Sequence, residues 1–291
     1  MTTTSVLADG LYFGEGPRWH DGVLWFSDFF DHAVKTCTED GTVTTAFTTE
    51  QHPSGLGWLP DGRMLIVSMQ DRRLLRREAD GTLVTHGDLA GIATFHCNDM
   101  VVDAVGRAYV GNFGFDLDEA FATRSVEDIF ADHATAALAR VDPDGSVHVA
   151  ATDLHFPNGS VITPDGSTLI VGETLGGCLT AFDIANDGTL SNRRVWAALD
   201  GRVPDGICLD ANGNIWVANP LATEVFLVAE GGEVLQTIET TLPCFACMLG
   251  GADGRTLFCL TTPSSVAAIA SASRQGRVET ARVAVPHAGR P

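Results

Sequence analysis

Lysine is almost missing from this chain. Lys35 is the only one in 291 residues, so chemistry centred on a lysine amine is excluded nearly everywhere. Basic charge as a whole is scarce: 18 Lys and Arg stand against 37 Asp and Glu, for a formal net charge of −19. A surface this acidic repels a phosphate backbone and attracts cations, which argues against nucleic-acid and anionic-membrane partners. Long apolar runs are missing too, and no stretch reaches the length of a bilayer span. The opening "MTTTSVLADGLYF" has neither the basic start nor the apolar centre of a signal peptide. The seven cysteines are an odd count, and most lie in apolar runs such as "GICLD" around Cys208 and "LFCLT" around Cys259. That usage indicates buried reduced thiols in a cytoplasmic protein rather than a disulfide framework. Cys244 and Cys247 in "CFAC" lack both the βαβ surroundings of a redox motif and a second such pair for zinc, so they are expected to pack. The motif GxSxG is absent, which argues against a covalent serine route.

What the sequence does have is repetition. A turn glycine followed by a short strand occurs six times: "DGVLWFSD", "DGRMLIVSM", "VGRAYVGN", "DGSTLIVGE", "NGNIWVAN" and "DGRTLFCLT". The glycines are Gly22, Gly62, Gly106, Gly166, Gly213 and Gly254, spaced 40, 44, 60, 47 and 41 residues apart. A second glycine turn follows in every unit, at Gly41, Gly81, Gly145, Gly188, Gly232 and Gly276. Asp-Gly between alternating runs signals a hairpin, because glycine accepts positive φ. Two hairpins per unit make four strands. Six such units read as a single all-β domain over residues 1–291, a six-bladed β-propeller with four antiparallel strands per blade. A sandwich or barrel does not naturally give six equal units. The segment before Glu15 has room for a strand that closes the ring by pairing near Val278 to Val285.

The long third spacing holds an insertion, Gly114 to Leu138. Within it "SVEDIFADH" has helical spacing at Val126, Ile129 and Phe130, with a capping Ser125 and Asp128 three residues on. A short helical insertion in the third blade is therefore expected, either as a lid over one mouth or as solvated decoration.

Eight residues before each first turn glycine lie Gly14 (with Glu15 next to it), Ser54, Asn98, Asn158, Asp205 and Ala246. In a propeller this column sits at the start of the innermost strands, so Glu15, Asn98, Asn158 and Asp205 converge on the axis. Taken singly, Asn158-Gly159 and Asp205-Gly206 are ordinary turn dipeptides. Their shared register sets them apart. Two carboxylates and two amides with no base among them repel one another, and a hard divalent cation relieves this, since it takes carboxylate and amide oxygens. Glu15 in "GEGPRWHDGVLWFSDFFD" is an acid pointed inward because a metal is expected there.

The stretches "GEGPRW", "HCNDMVVDAVGR", "FPNGSVITPDG" and "VPDGICLDANGNIWVAN" resemble the motifs of the senescence-marker-protein/gluconolactonase/luciferin-regenerating-enzyme family, over essentially the whole chain. The resemblance implies a six-bladed propeller with one divalent metal in the central channel. It implies Glu15, Asn158 and Asp205 as protein ligands, with Asn98 beside them as a further ligand or substrate contact. Asp205 is then also the general base, and Asp99 an acid that orients water or holds the neighbouring amide. Oxygen donors favour Ca2+, with Zn2+, Mn2+ and Mg2+ as alternatives. Sugar-lactonase members typically carry an arginine two residues before the asparagine. Here that position is His96, which lacks the planar fork of donors that grips hydroxyls. With Phe113, Phe115 and Phe156 among the expected substrate contacts, and Phe95 and Phe245 near the mouth, a less polar substrate is indicated. Glu173 and His155 could also reach the mouth but are expected to be structural.

These residues suggest a metal-dependent hydrolase that opens lactone rings. The cation polarises the carbonyl, water adds, and Asp205 takes its proton. The alternatives are phosphotriester hydrolysis at the same site, or a non-catalytic propeller that binds a metal or ligand.

Overall fold

A computed structural model describes residues 2–289. Six sheets follow one another along the chain as six blades, with strand order following sequence order except where strands from the start of the chain join the outer edges of the fifth and sixth sheets. The innermost strands are Gly14–His20, Pro53–Trp58, Cys97–Val102, Pro157–Ile162, Ile207–Leu209 and Cys244–Gly250. Pairing among the four principal strands of each blade is antiparallel, as the doubled glycine turns imply. Asp61 shows the local reason. Its carboxylate accepts from the Arg63 N–H at 3.0 Å while Gly62 takes φ of 86°, a turn that L side chains resist.

The second strands are mostly buried, Met64–Ser68 throughout, because neighbouring blades cover both faces. The outermost strands, such as Val43–Thr48, are largely exposed. The core lies between blades: Trp216, Tyr109, Phe26 and Phe226 are fully buried there.

The ring closes as expected. Ser5–Leu11 becomes the outer strand of the sixth blade, running from Ser5 opposite Thr280 to Leu11 opposite Gly276. The pairing lies somewhat earlier than Val278 to Val285. A feature not expected is that Thr2–Thr3 adds a parallel strand to the fifth blade, beside Ile238 and Glu239. The closure is tied by Glu279, which is fully buried and accepts from the hydroxyls of Thr4, Thr241 and Thr261.

The insertion leaves the third blade after Ala108–Asn112 and returns at Ala136–Val141, so residues 136–138 belong to the blade. It carries two helices, α1 (Leu117–Thr123) and α2 (Val126–Ala131). Asp116 caps α1 through the Glu119 N–H, and Ser125 caps α2 through the Asp128 N–H. A short helix, α3 (Ala267–Ala270), sits in the corresponding connection of the sixth blade.

Candidate active site

The innermost strands leave their ladders where the candidate residues stand. Register breaks fall between Glu15 and Arg18, between Pro53 and Leu56, between Cys97 and Met100, and between Pro157 and Ser160. Bulges of this kind turn a side chain out of the alternating pattern. In the fifth blade Asp205 precedes the strand altogether. Freed backbone groups pair sideways with the next blade instead: the Gly159 N–H donates to Asp205 O at 3.2 Å, and the Gly206 N–H to Phe245 O at 2.8 Å.

This explains the glycines that follow the candidate residues. Gly159 and Gly206 are not turn glycines, since neither has positive φ. A Cβ on Gly159 would stand 2.5 Å from Asp205 O, and one on Gly206 would stand 2.7 Å from Ala246 Cα. Gly16 and Gly55 are similarly pressed against the next blade, 2.8 Å from Ser54 O and 2.5 Å from Met100 N. The inner strands pack backbone to backbone, and only glycine permits it. The third blade has Asp99 in this column in place of glycine.

Glu15, Asn98, Asn158 and Asp205 all line one cavity of about 320 Å3. Glu15 and Asp205 are each only 7% exposed. Burial, and then the charges of Asp205 and Asp99, push the Glu15 carboxyl well above its ordinary pKa. Burial, and then Asp99, do the same to Asp205, while the Asn158 side chain pulls it partly back. The one buried base nearby, Arg18, is already engaged: it pairs with Asp99 at 2.9 Å and donates to the Pro17 and Met100 carbonyls.

Both amides spend a donor on the protein. Asn98 Nδ2 donates to Pro157 O at 2.9 Å, and Asn158 Nδ2 to Thr174 Oγ1 at 3.2 Å. Thr174 in turn donates to Pro204 O at 2.8 Å, which fixes its orientation. Asn98 Oδ1 is buried without any hydrogen-bond partner. Two buried carboxylates short of positive charge and an orphaned amide oxygen fit a hard divalent cation.

The model of the SMP-30/Gluconolactonase/LRE-like region matches residues 13–263. The chain belongs to that family. It is 26% identical over 234 residues to the pentonolactonase XacC of Haloferax volcanii, covering 75% of this chain and 70% of that one. It is 27% identical to the 6-deoxy-6-sulfogluconolactonase of Pseudomonas putida, covering 100% and 98%. A solved structure of a gluconolactonase from Xanthomonas campestris superposes with a TM-score of 0.74 at 26% identity, covering 97% of this chain and 88% of that one.

Against this family background, the remaining residues sort clearly. His96, Phe113 and Phe156 line the cavity, as do Phe95 and Phe245. Phe115 does not; its ring lies 6.3 Å from that of His133, because the chain turns away between Gly114 and the Asp116 cap. Asp99 does not line the cavity either: its carboxylate accepts from Arg18 and from the Met100 N–H at 2.8 Å, turned behind the floor. His155 and Glu173 lie in a separate depression with Arg193 and Cys178. There Glu173 accepts from Arg193, from Thr180 Oγ1 and from the His155 N–H, a structural arrangement. The seven cysteines are free thiols. Cys244 and Cys247 are buried, and Cys247 Sγ lies 3.8 Å from Cys208 Sγ. Among the described residues no helix is long and apolar enough to cross a membrane.

Several lining residues were not anticipated: Phe13, Phe29, Phe30, His52, and Phe121 and Phe130 of α1 and α2. They come from connections between strands, where the repeat carries no shared register. The phenylalanine-rich "FFD" after the first blade's second strand was the one available signal.

Proposed function

We propose that this chain is a divalent-cation-dependent hydrolase that opens lactone rings. The observation that carries the proposal is the pair of buried carboxylates, Glu15 and Asp205, facing one cavity that no arginine or lysine among the described residues lines. The lactonase names of its relatives support the reaction class.

Glu15, Asn158 and Asp205 would hold the cation, with Asn98 beside them. Bound there, a cation supplies electrophilic polarisation of the ester carbonyl. Asp205 takes a proton from the water that adds to the carbonyl carbon. The ring C–O bond then breaks, and the ring oxygen leaves as an alcohol, taking up the proton that Asp205 accepted from the water. Asp99 has no direct contact with the cavity. It acts as a positioning residue, because Arg18 and the Met100 N–H lock it beneath the floor. Thr174 holds the Asn158 amide in one orientation. Gly16, Gly159 and Gly206 let the inner strands approach closely enough to converge their side chains.

The test is to strip the protein with chelator and supply Ca2+, Zn2+, Mn2+ or Mg2+ in turn. Calorimetry follows cation binding, and a pH indicator follows hydrolysis of γ- and δ-lactones. Cation binding that disappears in Glu15→Gln, with turnover that disappears in Asp205→Asn, is the expected result. Tight cation binding with no lactone turnover would sink the lactonase assignment and leave a phosphotriesterase or a binding propeller.

A further inference from the structure

We propose that the substrate is a neutral lactone bearing an alkyl or aryl substituent, which α1 and α2 enclose. This rests on the hydrolase reading above and specifies its substrate class. Nine of the chain's fifteen phenylalanines line the cavity, and among the described residues no arginine or lysine does. The rings come in two packed groups facing each other across the floor. Phe13 stacks on Phe29 at 5.1 Å and meets Phe245 at 4.9 Å. On the other side Phe113 meets Phe156 at 4.7 Å, and His96 stacks on Phe95 at 4.1 Å. His96 is thus spent as a flat wall rather than as a donor fork.

The insertion supplies the roof. Leu117, Phe121, Val126, Ile129 and Phe130 all face the cavity. Val126 and, across the mouth, Leu221 are at the same time among the most exposed large apolar side chains of the protein, 42% and 60%. An apolar substituent too long for the cavity therefore leaves along apolar surface. Polar groups concentrate at the floor, where the ester must sit.

Charge excludes the other classes. With Glu15 and Asp205 committed to the cation, the ionisable lining groups left among the described residues are Asp118 and two histidines, so no cationic side chain is present to grip an anionic substrate. A ring carrying many hydroxyls would lose water wherever they meet the phenyl faces that make up much of the wall. Binding energy is available instead from methylenes and aromatic carbons.

The experiment compares kcat/KM for δ-valerolactone, its alkyl homologues up to δ-decalactone, and glucono-1,5-lactone, in the cation-loaded protein. In parallel, calorimetry measures binding of 6-pentylpiperidin-2-one, the lactam counterpart of δ-decalactone, with the cation and after chelation. The expected result is a rise of up to about fourfold per methylene, with glucono-1,5-lactone the poorest substrate, and saturable lactam binding. Phe121→Ala and Phe130→Ala lower the decalactone-to-valerolactone ratio by about tenfold. Preference for glucono-1,5-lactone would overturn the apolar assignment while leaving the hydrolase reading intact. Lactam binding without turnover of any lactone upholds the apolar cavity and rejects the hydrolase. Absence of lactam binding in the wild-type protein rejects the proposal whatever the variants do.

Discussion

Two sets of buried carboxylates stand at different places in the same ring of blades, and the protein treats them oppositely. Asp28, at the end of the first blade's second strand, accepts from the Phe13 N–H at 2.9 Å and from Lys35 Nζ at 2.7 Å. Glu173, in the same place in the fourth blade, has Arg193, Thr180 and a backbone N–H. Glu279 collects three threonine hydroxyls. Glu15 and Asp205 have little of this: Glu15 accepts from the N–H of its own neighbour, Gly16, at 3.0 Å. The difference teaches that burial alone does not mark a site. A carboxylate satisfied by the chain is a clamp. One left unsatisfied by the chain is a place for something the chain does not contain.

The sharpest way to break this comparison is to neutralise one member of each set. Asp205→Asn should cost about 10²- to 10⁴-fold in cation-dependent turnover. Its cation-free stability should be unchanged or higher, since a repelling buried charge is gone. A large stability loss instead would make Asp205 another clamp.

Lys35→Met is the converse. It leaves Asp28 uncompensated in a fully buried position and also removes the 2.5 Å pair to Asp31. A loss of about 3–5 kcal/mol in urea unfolding is expected. A loss below 1 kcal/mol would show that the sole lysine has no structural task.

Cation addition sharpens the contrast. At a concentration one hundred times Kd, a cation that binds only the folded state adds about 2.7 kcal/mol, seen as a rise in Tm. Glu15→Gln should abolish that rise. A rise that persists in this variant places the cation elsewhere.

The smallest effect concerns His52, which lines the cavity beside Phe30 at 5.2 Å between ring centres. Burial, helped by His32 and His96, lowers its pKa from 6.5 to about 4. The unfolded chain therefore takes up this proton at higher pH than the folded one. The stability linked to His52 is complete above pH 6.5 and drains away as pH falls toward about 4. Urea unfolding at both ends of that window should show a smaller acid loss in His52→Phe than in the wild type. Equal losses would remove His52 from the account.

By itself the sequence determined the blade count, the two hairpins per blade, the closing strand and the column holding Glu15, Asn98, Asn158 and Asp205. All but the closing strand recur at fixed places in a repeat, so spacing exposes them; the closing strand was inferred from the room left before Glu15. The helices of the insertion were legible from Ser125 and the Val126, Ile129 and Phe130 spacing, but their place over the cavity was not.

Tertiary structure alone decided what pairs with what. Arg18 reaches Asp99 across 81 positions of sequence, which takes Asp99 out of the cavity and leaves Glu15 without a base. The glycines after Asn158 and Asp205 look like turn residues in one dimension; only the neighbouring blade shows that they are there because no Cβ fits. The phenyl rings of the cavity come from four of the six blades, most of them from connections between strands, and nothing in a local window reveals that they meet. Local spacing encodes what each unit is, because strand and turn preferences act over a few residues. Which charges remain uncompensated depends on every neighbour at once, and that is known only when the ring has closed.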